Sequence, residues 1–490
     1  MSEVTPAAPV TCDVLIVGYG AAGATAAIEA AEAGASVVVL ERAGAPGGSS
    51  ALSGGELYLG GGTSVQAACG FSDTPEAMFT FMVAALGPHA DEEKLRLYCD
   101  GSVEHFDWLV AHGMPFTPSL YDGPTWMPHT TDGLMWLGEN AWPFNESTVG
   151  GGPAPRGHRG PTPFYAGKVL MDTLVAAGEA AGVLTVSDTR VSSLIVEDER
   201  VVGVRARRFG ADVEYRARRG VVLTTGGFVD NDAMLADHAP QLLGRGKVSD
   251  GLDDGSGITM ALEVGAATRR MGAYETALTY LPALACRGMI VDADGQRFVN
   301  EDAYPGIVSH AAVDHRRGPF WVIVDEAGLE DVDGPELWGV RPRHGAETLA
   351  ELEAELGMPA GSLEATVAAY NRDAAAGADR FHKDPSWLRV LEPPFAAIDV
   401  AEGFFPGTGE GGGNGDGVAG FTLGGLRTTP DGAVTRWDGS PVPGLFAAGR
   451  VTSGIHGDGY ISGTSLGDGT FFGRRAGRSA AAESEGTVHG

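Results

Sequence analysis

The ordered pattern of the chain begins with an unbroken apolar run, Val14-Leu15-Ile16-Val17, followed at once by Gly18-Tyr19-Gly20-Ala21-Ala22-Gly23. A short apolar run closed by glycine predicts a strand buried on both faces. Small residues from Ala24 to Ala33 then predict a helix that stops at Gly34, and Val37-Val38-Val39-Leu40 predicts a second strand ending in Glu41-Arg42. This strand, helix and strand unit occupies residues 11–42. A loop of small residues, Ala45 to Gly55, follows and is smooth enough to lie against a flat ligand.

Residues 73–113 carry helical periodicity, with a start signal at Thr74-Pro75-Glu76. From Met114 to Tyr165 the pattern becomes irregular. Phe116, Tyr121, Trp126, Trp136, Trp142, Phe144, Phe164 and Tyr165 stand there among prolines and glycines. A helix is predicted from Ala166 to Ala181, then strands at Val191–Val196 and Val201–Arg207 about a turn at Asp198-Glu199. Tyr215–Arg219 leads into a buried strand, Gly220 to Leu223, and then Thr225-Gly226-Gly227-Phe228. Residues 236–394 read as an inserted unit, with a strand at Phe320–Val324 and helices at Glu347–Glu355 and Leu363–Ala375. The glycine-rich stretch 407–420 reads as a flexible or ligand-hugging loop. Leu445 to Ala448 is a further strand stopped by Gly449, a helix runs from Gly469 to Ala481, and the tail from Glu483 is expected to be disordered.

Composition narrows the function classes. At 490 residues the chain divides most naturally into two domains. A net charge of −30 excludes nucleic acid and anionic membrane surfaces as partners, because phosphates are gripped by clustered Lys and Arg. Cys12, Cys69, Cys99 and Cys286 are scattered, with no Cys-x-x-Cys pair. That spacing argues against a metal site and against electron transfer through a disulfide, and it suits a reducing cytoplasm. Residues Met1 to Thr11 lack the basic and apolar regions of a signal peptide, and no apolar run reaches the ~18 residues of a membrane span.

The first unit has the order that a dinucleotide site requires. Gly18 allows the tight turn, Gly20 lets backbone approach a pyrophosphate, and Gly23 lets helix pack on strand. The free N–H groups of the helix start, at Ala21 and Ala22, then face the phosphates, and Glu41 is placed to accept hydrogen bonds from ribose hydroxyls. No second fingerprint precedes Gly226 or Gly449. The bound dinucleotide is therefore read as the redox centre itself, FAD, rather than as a nicotinamide shuttle.

Seven pieces in order give the chain its resemblance. They are Gly18 to Gly23 with Glu41, Gly47-Gly48-Ser49-Ser50, Thr225-Gly226-Gly227-Phe228, Asp254-Gly255-Ser256-Gly257, Arg297-Phe298-Val299-Asn300-Glu301, Phe446-Ala447-Ala448-Gly449 and Gly463-Thr464-Ser465-Leu466-Gly467-Asp468. Over nearly its whole length the chain resembles the fumarate reductase/succinate dehydrogenase class of flavoproteins. The resemblance implies an α/β fold. A Rossmann-like FAD domain (1–235 and 395–490) is interrupted by a capping domain (236–394), with the active site between them. It implies cofactor contacts from Gly18, Gly20, Ala21, Ala22, Gly23, Glu41, Arg42, Gly48, Ser49, Ser50, Val191, Thr225, Gly226, Gly227, Asp254 and Gly449. Ser465 and Leu466 would present N–H groups to the pyrimidine end of the flavin, helped by the following helix. Covalently flavinylated members carry a histidine after the Gly-Gly-Ser region. None lies nearby here, so FAD is expected to be held noncovalently.

Dicarboxylate-handling members place an arginine after the Arg-Phe-Val-Asn-Glu motif and another after the C-terminal His-Gly pair. Here Asn300-Glu301 is followed by Asp302-Ala303-Tyr304, and His456-Gly457 by Asp458-Gly459-Tyr460. Phenols in place of guanidinium forks suit a ketone better than a carboxylate. Gly459-Tyr460-Ile461-Ser462-Gly463 resembles the 3-ketosteroid dehydrogenases, most nearly the Δ4-(5α) type. In extended chain Tyr460 and Ser462 face the same way. The resemblance implies Tyr460 as donor to the enolate oxygen, Ser462 as proton acceptor, and Tyr304 as its helper and outward relay, with Tyr58, Tyr274 and Tyr280 as competitors for that last role. The aromatics from Phe116 to Phe144 are expected to supply apolar walls or ordinary core. His456 is expected to orient the flavin end or satisfy a carbonyl, and Asp253, Asp254 and Asp458 are read as turn residues rather than bases. The expected activity is desaturation of a 3-keto-5α-steroid, or another cyclic ketone, with an external acceptor reoxidising FAD. The alternatives are a Δ1-dehydrogenase, a fumarate-type enoate reductase, and a flavin-binding protein without turnover.

Overall fold

The computed structural model describes residues 10–125, 127–315, 318–402 and 417–484. The Val10–Val17 strand lies in the middle of an eight-stranded sheet, parallel to Val37–Leu40 on one side and to Ala211–Leu223 on the other. Leu184–Val186 and Pro441–Ala447 extend the parallel run outward. Side chains alternate between two cores. Val14, Ile16, Val37 and Val39 face the helices Ala21–Glu32 and Thr464–Ala482, while Leu15, Val17, Val38 and Leu40 face the opposite layer. Burial on both faces is why these strands read as continuous apolar runs rather than alternating ones.

The two helices touch backbone to backbone. A Cβ on Gly473 would stand 2.4 Å from Thr25 Oγ1, and one on Gly477 2.1 Å from the Ala26 carbonyl oxygen. The C-terminal helix starts at Thr464, five residues before the expected Gly469, with Gly463 as its N-cap at φ +83°. Its glycines are packing residues and do not mark a loop. The helical stretch after Thr74 is two helices, Pro75–Leu86 and Glu92–Ala111, parted at Gly87-Pro88 and capped by Thr74 and Asp91. The glycine-rich stretch is corrected at its far end, where Val418–Thr422 is a strand paired with Tyr274–Leu278. Residues 407–416, Trp126 and the tail from 485 lie outside the described residues.

The inserted unit has its own four-stranded antiparallel sheet, in the order Met289–Val291, Trp321–Asp325, Phe395–Asp399, His344–Ala346. Two cores drawn from residues between Leu278 and Val418 flank it. Ile258, Met260 and Ala266 instead belong to the core of the nucleotide sheet. Buried ion pairs knit the insert together: Arg297 meets Glu301 at 2.7 Å and Asp379 at 2.5 Å, and Lys383 lies 3.3 Å from Glu301.

Candidate active site

A cavity of about 780 Å³ runs along the C-terminal ends of the parallel strands, where open α/β sheets bind ligands. At one end Glu41 is fixed by two backbone donors, Tyr19 N–H at 2.8 Å and Ala43 N–H at 2.7 Å. Burial raises its proton affinity and the two N–H groups oppose that rise. Gly18, Gly20, Ala21, Ala22, Arg42, Gly48, Ser49, Ser50, Val191, Thr225, Gly226, Gly449, Ser465 and Leu466 all line the same space. Gly18 has φ +99°, and a Cβ there would strike the Thr224 carbonyl oxygen at 2.5 Å. The Ala21 N–H is taken by Ser50 Oγ at 3.2 Å, and the first bond within the helix is Ala24 N–H to the Gly20 oxygen. Ala22 and Gly23 therefore keep N–H groups without intrahelical partners.

Three residues expected at the cofactor stand behind the wall. Gly23 serves packing, since a Cβ there would lie 2.1 Å from the Gly18 oxygen, and Gly227 does the same against Thr422 Oγ1. Asp254 pairs with Arg42 at 2.7 Å and accepts the Ser256 N–H. Its neighbour Asp253 is the one that lines the cavity, together with Asp250 and Arg450. Arg450 Nη2 meets Asp253 Oδ2 at 2.6 Å, and its guanidinium lies over the Phe421 ring at 5.3 Å. This buried pair was invisible in the motifs, although Arg450 directly follows Gly449.

At the other end of the cavity Tyr304, Tyr460 and Ser462 come together. The Tyr304 hydroxyl is 3.0 Å from Ser462 Oγ across 158 residues of sequence. Of the tyrosines weighed for this place, Tyr304 lines the cavity; Tyr58, Tyr274 and Tyr280 do not. Burial, and next the charge of Glu275, push the Tyr304 phenol well above its ordinary pKa. Tyr460 is held by a stack on His456 at 5.4 Å and by the edge contact with Phe421 at 5.3 Å. Its oxygen accepts the Ser465 N–H at 3.4 Å, so the hydroxyl hydrogen stays available to a ligand. The Ser465 N–H, expected at the flavin, thus has a protein partner. Burial raises the Tyr460 pKa to about 12, so the group remains a donor at neutral pH. His456 is buried and neutral, its pKa lowered to about 4, and Nε2 lies 3.2 Å from Thr464 Oγ1.

Among the described aromatics from Phe116 to Phe144, none lines this cavity, and they serve as core and anchor instead. Phe116 stacks on Phe106, Phe144 meets Phe81 edge-on, and Trp142 stacks on His382 of the insert at 4.1 Å. From that region Met127 and Tyr165 reach the cavity. Ala277, Ala419 and Phe421, on the paired Tyr274–Leu278 and Val418–Thr422 strands, supply further apolar surface. Asp458 is a surface residue, paired with Arg270 and His89 at 2.6 Å each.

The residues present fit a flavin dinucleotide. The cavity joins a glycine cradle that a Cβ would fill to a helix start, and a buried hydroxyl on its wall, Thr225 Oγ1, has no hydrogen-bond partner among the described residues. The family model described as FAD binding domain matches residues 13–466, and the chain belongs to that family. It is an FAD flavoprotein of the fumarate reductase/succinate dehydrogenase class.

Among solved structures, the chain is 47% identical to a 3-ketosteroid-Δ4-(5α)-dehydrogenase from Rhodococcus jostii RHA1, determined in complex with 4-androstene-3,17-dione. The TM-score is 0.90, and 98% of each chain is covered. It is 29% identical over 550 residues to the 3-oxosteroid 1-dehydrogenase of Mycobacterium tuberculosis (strain ATCC 25618 / H37Rv), covering 91% of this chain and 94% of that protein. It is 28% identical over 492 residues to the NADH:fumarate oxidoreductase of Klebsiella pneumoniae (strain 342), covering 98% of this chain but spanning only 48% of that protein's length. Among the described residues, no helix is long and apolar enough to cross a membrane.

Proposed function

We propose that this flavoprotein desaturates a 3-keto-5α-steroid between C4 and C5. The observation that carries the reading is the meeting of Ser462 Oγ and the Tyr304 hydroxyl at 3.0 Å on the same wall as Tyr460. Removing hydrogens from adjacent carbons beside a ketone needs a donor for the growing enolate oxygen and an acceptor for the α-proton. Tyr460 has a free hydroxyl hydrogen and a rigid ring, and one preorganised donor of this kind contributes about 3 kcal/mol. Ser462 takes the α-proton while its own hydroxyl proton moves to Tyr304, which releases its phenol proton outward. Bound FAD supplies the acceptor for the electron pair and the β-hydrogen that leave the substrate.

Selection of a ketone over a carboxylate follows from charge. Arg450, the guanidinium near Tyr460, is neutralised by Asp253 at 2.6 Å, so an anionic substrate would have to break a buried pair to use it. The relative crystallised with 4-androstene-3,17-dione supports a steroid in this place. Among the described residues no histidine or cysteine lines the cavity, which supports noncovalent FAD; acid precipitation should release the yellow cofactor into solution, and flavin retained on the pellet would refute it. An external acceptor completes the cycle. The test of the reading is anaerobic titration with a 3-keto-5α-steroid, which should bleach the flavin stoichiometrically. A flavin that stays oxidised with the steroid, or turnover with fumarate instead, would defeat it.

A further inference from the structure

Neither hydroxyl at the site can keep the proton it receives. Ser462 gains one from carbon only by losing its own to Tyr304, and Tyr304 must lose its own in turn. Behind the wall lies a second cavity of about 340 Å³, and Tyr304, Tyr460 and Glu275 line both cavities. Glu275 is 3% exposed. Its Oε2 lies 3.1 Å from His310 Nε2, whereas its Oε1 has no hydrogen-bond partner among the described residues. The point that a Cβ on Gly306 would occupy is 2.4 Å from that oxygen and 2.4 Å from Tyr304 Cε1. The unpaired carboxylate oxygen and the edge of the phenol therefore share a gap that glycine alone leaves open. Phe421, which touches Tyr460, is the cross-strand partner of Glu275.

We propose that Glu275, paired with His310, is the terminal acceptor of the substrate's α-proton, reached from Ser462 through Tyr304. The assignment rests on the ketone reading above and names where the proton goes. The C–H bond breaks and its electron pair becomes the enolate held by Tyr460. The proton goes to Ser462 Oγ, the Ser462 hydroxyl proton to Tyr304, and the Tyr304 proton to Glu275 Oε1, directly or through one water in the second cavity. One carboxylate becomes a carboxylic acid as one neutral ketone becomes one enolate. His310 Nδ1 then leads to Asp314 at 3.4 Å, with side-chain exposure rising from 4% at Glu275 to 24% and 37% along this route. Tyr274 donates to Asp314 at 2.9 Å and steadies its end. Burial raises the proton affinity of Glu275 and His310 opposes it, while the two carboxylates outweigh burial and raise the pKa of His310. An unpaired buried carboxylate oxygen is costly, and a role in proton transfer accounts for its retention.

The test is stopped-flow bleaching of anaerobic holoenzyme by the steroid, comparing wild type with Glu275→Gln and Glu275→Ala. The glutamine variant should bleach at least about 100-fold more slowly, the lower range for a general base, with steroid affinity unchanged. Acetate should restore rate to the alanine variant in a concentration-dependent way, which a purely structural residue would not allow. In the protein without steroid, the His310 imidazole observed by NMR should titrate at lower pH in the glutamine variant. An unaltered rate in Glu275→Gln, or a slow variant with equally weakened steroid affinity and no acetate rescue, would overturn the assignment alone. A wild-type flavin that the steroid does not bleach would overturn the ketone reading and this assignment together.

Discussion

Replacing Tyr460 by phenylalanine removes one oxygen and almost nothing else. The ring keeps its stack on His456 at 5.4 Å and its edge contact with Phe421 at 5.3 Å. The hydroxyl is linked to the described protein by one long hydrogen bond, from Ser465 N–H at 3.4 Å, whose loss costs at most about 1 kcal/mol of stability. The transition state loses far more, because the developing oxyanion is left without its donor in a buried site. At about 3 kcal/mol, flavin bleaching by the steroid should slow by about 100- to 1,000-fold. Flavin content and the unfolding midpoint should stay near wild type. The assay is anaerobic stopped-flow absorbance of the bound flavin at saturating steroid, with urea unfolding as the control. A fully loaded, stable variant that bleaches at the wild-type rate would refute the donor assignment.

Two further outcomes follow from the same geometry. Arg450→Met strands the Asp253 carboxylate, whose side chain is 7% exposed, and should cost about 3–5 kcal/mol in urea unfolding. Adding Asp253→Asn should recover most of that loss, and no recovery would show that the pair is not the cause. His456, with a pKa lowered to about 4 in the fold against an ordinary 6.5, stays neutral while the unfolded chain takes up a proton. Its contribution is therefore complete above pH 6.5 and is lost as pH falls toward 4, by about 3 kcal/mol. Urea unfolding at several pH values should show an acid slope that shrinks by about one proton in His456→Gln; an unchanged slope would contradict the buried, neutral state.

The nucleotide half of the molecule is legible because its signals are local. The apolar run to Val17, the glycines after it and the acid at Glu41 lie within one stretch of chain; Gly18, Gly20 and Glu41 line the cavity, and Gly23 packs against Gly18 behind it. Tyr460 and Ser462 are equally local, two residues apart in the segment that leads into the C-terminal helix. What resisted reading depends on chain pairing or on close packing. Glu275 joins the site because its strand pairs with the one carrying Phe421, and Arg450 matters because Asp253 arrives from almost two hundred residues away. The first turn of the C-terminal helix was hidden by glycines. Gly467 and Gly469 weaken helix propensity, yet both lie within the helix; Gly467 is there for close packing, since a Cβ would collide with the Tyr98 hydroxyl at 2.0 Å. The aromatic stretch from Phe116 to Phe144 gave no sign of which residue would face a cavity: Phe144 lines the second one, while Trp142 is exposed and stacks on His382.

The central claim is that a ketone oxygen meets Tyr460 while Ser462 draws a proton from the carbon beside it. The most direct measurement is the position of the new double bond, by NMR of the product after anaerobic reaction with a saturated 3-keto-5α-steroid. The account predicts one product unsaturated at C4–C5 for each flavin bleached. A double bond at C1–C2, or recovery of unchanged steroid, would contradict it.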